Sequence, residues 1–158
     1  MNGAVVLAGL TPHPPIAVPE VGKDDAAKVA KTAKALGTLA REIPEARADT
    51  LVVITPHGPV FSDAVAIRSQ LVLRGNLAGF GAPRVRVEYP NDLELTKAIE
   101  KESAGVGVTV ALMDDRKLSY YGLDKDLDHG TVVPLSFIAN GGFAGKLVVV
   151  NVGVLSLF

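Results

Sequence analysis

Three histidines are the main chemical resource of this 158-residue chain, which contains no cysteine. Two of them stand in near copies of one motif: "TPHPP", Thr11 to Pro15 around His13, and "TPHGP", Thr55 to Pro59 around His57. Each copy follows an apolar run that reads as a strand. Two imidazoles brought together without thiolates suit a divalent metal such as Fe(II), Zn(II) or Mn(II). The flanking prolines fix φ and restrict the residue before them, so a histidine in such a turn loses little entropy on binding. A turn histidine hydrogen-bonded only for structure is the competing reading for each taken alone. His129 lies in "LDKDLDHGTVVPL", where a polar loop turns into a helix. Asp128 can cap that helix or orient an imidazole, Gly130 frees the backbone beside the ring, and an uncoordinated histidine here suits general acid-base work.

Three elements must position these residues. Val5 to Leu10, Leu51 to Thr55 and Leu147 to Val152 are β-branched and apolar on consecutive positions, as expected of strands buried on both faces of an α/β sheet. Between the first two, "DDAAKVAKTAKALGTLAREIP" carries Ala26, Val29, Ala30, Ala33, Leu36, Ala40 and Ile43 at helical spacing, with Asp24 or Asp25 to cap it and Pro44 to end it. Strand, helix and strand predict a βαβ unit whose two strands are parallel neighbours. His13 and His57 would then leave the sheet at its carboxyl end, where α/β sheets bind ligands.

Farther along, "DAVAIRSQLVLRGNL" reads as a pair of strands, "GFGAP" as a turn and "RVRVEYP" as another strand. A second helix is expected from Asn91, with Glu94 completing a capping box, then a strand at "GVTVALM". A third helix is expected within Val132 to Ala139, with Pro134 in its first turn. The fold class is thus α/β, a mixed and largely parallel central sheet flanked by helices in three layers, as one domain over residues 1–158. The apolar ending "KLVVVNVGVLSLF" points to the N-terminal part of a longer domain or to a partner that covers it.

Sixteen Lys plus Arg against seventeen Asp plus Glu leave a net charge of −1, which argues against nucleic acid or an anionic membrane as partner. The first apolar run has no basic leader and is broken by Pro12, Pro14 and Pro15, unlike a signal peptide or membrane span. A cytoplasmic protein is expected.

"GLTPHPPIAVPEVG", "VVITPHGPVFSDAVAI" and "LDHGTVVPLSFI" together resemble the class III extradiol ring-cleavage dioxygenases. That superfamily includes the LigB-type subunit of protocatechuate dioxygenase and the Memo proteins. The nearest likeness is to the LigB-like branch associated with AMMECR-type domains and radical-SAM partners. The motifs follow the family's order along nearly the whole chain. The resemblance implies that His13 and His57 are ligands of a non-haem Fe(II), and that His129 is the neighbouring acid-base histidine. It implies a catecholic substrate and dioxygen as co-substrate, in aromatic compound catabolism.

In that family the third metal ligand is a glutamate far toward the C-terminus, and no segment of this chain matches it. The acids near the motifs are Glu20, Asp63, Glu88 and Asp128. Two other functions therefore stand beside the dioxygenase: a Memo-like module that binds metal or peptide without turnover, and a zinc-dependent hydrolase. A homo-oligomer is expected, with a second subunit or fused domain as a further partner.

Overall fold

The computed structural model describes residues 3–153. Its centre is a four-stranded sheet built from β1 (Thr50–Thr55), β2 (Val65–Arg68), β5 (Val110–Met113) and β6 (Lys146–Asn151), in the order β1-β6-β2-β5. β1 pairs β6 in parallel, β2 pairs β5 in parallel, and only the β6–β2 pair is antiparallel. β3 (Val72–Leu77) and β4 (Ala82–Pro90) form a separate antiparallel hairpin. A mixed, largely parallel sheet flanked by helices is the predicted class.

One side of the sheet holds the larger core. Leu51 and Val53 of β1 and Leu147 and Val149 of β6 pack against two helices, α2 (Ala30–Glu45), through Ala40 and Ile43, and α5 (His129–Asn140), through Val132, Val133, Leu135 and Ile138. The hairpin joins this core through Leu73, Leu77 and Val87. Burying such side chains supplies roughly 1.5–3 kcal/mol each before conformational entropy is set against it. Farther along the same face, over β2 and β5, lies a smaller cluster, Ala66, Met113 and Leu118, with α4 (Asp115–Tyr120). α3 (Leu93–Gly105) also lies against β5 and β6. None of the described helices is long and apolar enough to cross a membrane.

Several local expectations are corrected. Val5 to Leu10 forms no strand, and the neighbour of β1 is β6 rather than the first apolar run. The run passes beside α2 instead, where a Cβ on Gly9 would meet the Leu39 side chain at 3.2 Å. Apolar, β-branched residues favour extended backbone, but pairing is decided by what lies alongside.

The helix predicted from Asp24 begins as a 3₁₀ segment, Lys23–Val29, and neither aspartate caps α2. Pro44 falls inside the last turn of α2, which runs to Glu45. Lacking an N–H, it leaves the Ala40 carbonyl without its helical donor. Gly141, at the end of α5, packs so closely on that carbonyl that a Cβ there could not fit.

The two strands expected in this stretch form as β2 and β3, but they belong to different sheets, with Ser69 to Leu71 carrying the chain from one to the other. α3 starts one residue later than predicted. Its cap is Asp92, which accepts from the Leu95 N–H at 3.0 Å, while the Asn91 amide donates to the Arg68 and Gln70 carbonyls. The same Asp92 carboxylate accepts from the Thr50 hydroxyl at 2.7 Å and ties α3 to β1. α4 was not anticipated from "DDRKLSYYG"; Asp114 caps it by accepting from the Lys117 N–H. α5 begins a full turn before Val132, at His129, so Pro134 lies beyond its first turn. The apolar residues after Gly153, read as a covered or continuing end, lie outside the described residues.

Candidate metal centre

Both rigid arms of the site start from the carboxyl end of the sheet. β1 ends in Thr55, which is buried, and the chain turns through Pro56, His57 and Gly58. The Thr55 hydroxyl accepts from the His57 N–H and donates to Asp128 Oδ1, both at 3.3 Å. On the other side of the turn, the side-chain amide of Asn151, the last residue of β6, donates to the His57 carbonyl at 2.5 Å. Gly58 has φ +87°, and a Cβ there would strike that amide, so glycine is required twice over.

The second arm is the start of α5. Asp128 caps it, taking the Thr131 N–H on Oδ1 and the Thr131 hydroxyl on Oδ2, each at 3.1 Å. His129 is therefore the first residue of the helix. Gly130 follows, and a Cβ at that position would lie 2.6 Å from His57 Cδ2 and 3.0 Å from the Thr55 hydroxyl. Its bare backbone lets the His57 ring lie against the helix, with ring centroids of His57 and His129 4.6 Å apart.

Arg68 secures the loop that leads into this helix. Fully buried at the end of β2, it donates to the carbonyls of Asp124 (3.0 Å), Lys125 (3.4 Å) and Asp126 (3.2 Å). Gln70 adds bonds to the Lys125 carbonyl and to Asp115. Burial pushes the Arg68 pKa down, against the pull of Asp128, Asp124, Asp126 and Asp115. Donation to three consecutive carbonyls is how a guanidinium fork tolerates such a place.

His13 comes from the remaining direction, on the segment that precedes a 3₁₀ turn at Pro15–Ala17 and the short helix α1 (Pro19–Gly22). Its Nε2 stands 3.0 Å from His57 Nε2, with the two rings nearly perpendicular. One ligand atom from each of His13, His57 and His129 falls within 4.8 Å of the others. The three rings line a cleft of about 780 Å³ together with Leu10, Thr11, Pro12, Pro14 and Pro15. Thus the convergence of His13 and His57, predicted from a parallel strand pair, is reached by a strap and a strand.

The donor set fits a divalent transition metal. Nitrogens bound at ~2.1 Å and a right angle to one another lie about 3.0 Å apart, the observed His13–His57 spacing. None of the four acids considered from the sequence joins the cluster. Glu20, Asp63 and Glu88 are exposed, and Asp128 spends its carboxylate on the helix cap. Burial lowers the His129 pKa, like charge on His57 and His13 adds to this, and Asp128 opposes it. Thr55, Thr131, Asn151 and Arg68 were not singled out from the sequence. Only Thr55 had a visible signal, its place in the repeated Thr-Pro-His.

Residues 7–157 match the family model described as the catalytic LigB subunit of aromatic ring-opening dioxygenase. A protein of Clostridium acetobutylicum, "Protein CA_C1420", is 36% identical over 129 residues, a stretch covering 82% of this chain and 28% of that relative. The chain thus spans well under half the length of the curated relative it matches. With the family model covering nearly all of the sequence, the chain belongs to the LigB family of aromatic ring-opening dioxygenase catalytic subunits.

Proposed function

We propose that this chain is the N-terminal part of a cytoplasmic, non-haem Fe(II)-dependent extradiol dioxygenase. In it His13 and His57 hold the metal, and His129 moves protons. The observation that carries this reading is the 3.0 Å approach of two Nε2 atoms from separate Thr-Pro-His turns, with a third imidazole beside them. Membership of the LigB family supports a catecholic substrate and dioxygen. When bound, iron supplies chelation of the two catechol oxygens and a path for electrons from the ring to dioxygen; Zn(II) or Mn(II) also suits the donors.

The remaining chemistry belongs to side chains. With its pKa lowered, His129 is a neutral acceptor near neutral pH, able to take a catechol proton and return it to the opened product. Asp128, next in sequence, favours the imidazolium once that proton has arrived. Pro12, Pro14 and Pro15 give the cleft a stiff apolar lining that displaces water around the ring. A third ligand from a fused domain or second subunit belongs to this proposal, supported by the small share of its relative that the chain spans, and a homo-oligomeric state is proposed with it.

Anaerobic loading with Fe(II), followed by a panel of catechols and oxygen, tests it. A yellow ring-opened product is expected, formed with uptake of one dioxygen per ring and absent in His13→Ala. Iron bound by the full-length protein but no oxygen uptake over a broad panel would overturn the reading. That result would favour a Memo-like metal-binding module, to which one observation already points: among the described residues the cluster is all imidazole and contains no carboxylate.

A further inference from the structure

We propose that Phe80 determines specificity at this centre, favouring planar aromatic chelators over aliphatic ones. The proposal rests on the cluster being a metal centre that takes a catechol. Phe80 lies in the turn Ala78–Phe80 at the tip of the β3–β4 hairpin. Its ring stands against His129, with centroids 5.2 Å apart and planes at 58°. Among the described residues, no other phenylalanine or tyrosine ring stands in such an arrangement with any of the three imidazoles.

Packing does not account for this placement. Phe80 is 44% exposed and belongs to neither hydrophobic core. Gly79 and Gly81 flank it, and a Cβ at either position would meet nothing within 4 Å, so the turn on either side of Phe80 is uncrowded. The turn is nevertheless anchored. Asn76 Oδ1 accepts from the Ala78 N–H at 2.8 Å, and Asn76 Nδ2 donates to Asp126 Oδ2 at 3.0 Å, on the loop that leads to His129. The hairpin tip and His129 are thereby held in one register.

An exposed aromatic beside the acid-base histidine offers a π face to a ring seated at the imidazoles. Aromatic pairs with centroids 4.5–7 Å apart gain roughly 2- to 10-fold in affinity beyond the area they bury. An oxygen chelator without a ring gains nothing from that face.

Calorimetric titration of the anaerobic Fe(II)-loaded protein with 4-nitrocatechol and with acetohydroxamate, a bidentate oxygen ligand lacking a ring, separates the two. Phe80→Ala and Phe80→Leu should weaken 4-nitrocatechol by about 5- to 10-fold. Phe80→Tyr should stay within about twofold, and acetohydroxamate should bind all four proteins alike, since that ligand makes no ring contact. Unchanged 4-nitrocatechol affinity in Phe80→Ala, or an equal loss for both ligands, would overturn the role of Phe80 and leave the metal centre standing. A wild-type protein that binds iron but neither ligand would overturn the proposed function, and this inference with it.

Discussion

The two arms that carry His57 and His129 and the strap that carries His13 bring the same side chain to the same place by opposite means. His57 and His129 are set in a buried polar network of Thr55, Asn151, Asp128 and Thr131, with Arg68 holding the approach to Asp128. The strap before His13 makes no strand pairing. Val5 is 88% exposed and Leu10 fully so, and His13 reaches the cluster from a proline-rich turn fixed only downstream, where Ala17 and Val18 are buried. Where buried amides and hydroxyls bond one another, position is specified and a lost partner is costly, although Asn151 Oδ1 and Arg68 Nε are left without a partner. Where backbone and side chains face water, position rests on the chain's own stiffness.

Arg68→Met breaks the braced side most severely. It leaves the Asp124 and Asp126 carbonyls without their donor, while Lys125 keeps only that of Gln70, and about 3 kcal/mol or more of stability should be lost in urea unfolding. A loss below about 1 kcal/mol would show that the loop needs no such anchor.

Asn151→Leu removes one donor, to the His57 carbonyl, and should cost about 1–2 kcal/mol while weakening metal binding about tenfold. Unchanged metal affinity would mean that the network supports the fold and not the site.

A shallower effect belongs to pH. The folded chain lowers the His129 pKa below its ordinary 6.5, so folding favours the neutral ring. That contribution is intact above pH 6.5 and is lost as the pH falls from there toward the lowered native value. The stability of the metal-free protein should therefore decline over that interval, less so in His129→Gln; parallel profiles would contradict it. Smallest of all, Leu10→Ser on the strap should change stability by no more than about 0.5 kcal/mol, since the side chain is fully exposed. A larger loss would show that the strap is packed in solution.

This contrast also explains what the sequence could reveal. His13, His57 and His129 were legible because their motifs are local: a proline-bracketed histidine after an apolar run, and a histidine where a polar loop becomes a helix. β6 was legible because consecutive β-branched residues suit a strand covered on both faces; β1 carries the same signal but is an edge strand, with Val52 and Ile54 exposed. The same signal misled at Val5 to Leu10, where apolar residues promise extended backbone but say nothing about a partner. Asn151 and Arg68 were silent, because a polar residue inside a strand acquires its role from atoms far away in sequence, 94 residues in the case of Asn151 and His57. Asp92 was passed over for Asn91, since both types cap helices and only the tertiary bonds to Thr50 and Leu95 distinguish them.

The central claim, that His13 and His57 hold the metal while His129 stands beside it, is tested most directly by anaerobic Fe(II) titration of His13→Ala, His57→Ala and His129→Ala. The first two should lose at least the ~100-fold in affinity that removal of even an outer partner can cost, and the third should lose about tenfold or less. Equal losses in all three would make His129 a ligand, and undiminished binding in His13→Ala or His57→Ala would contradict the account.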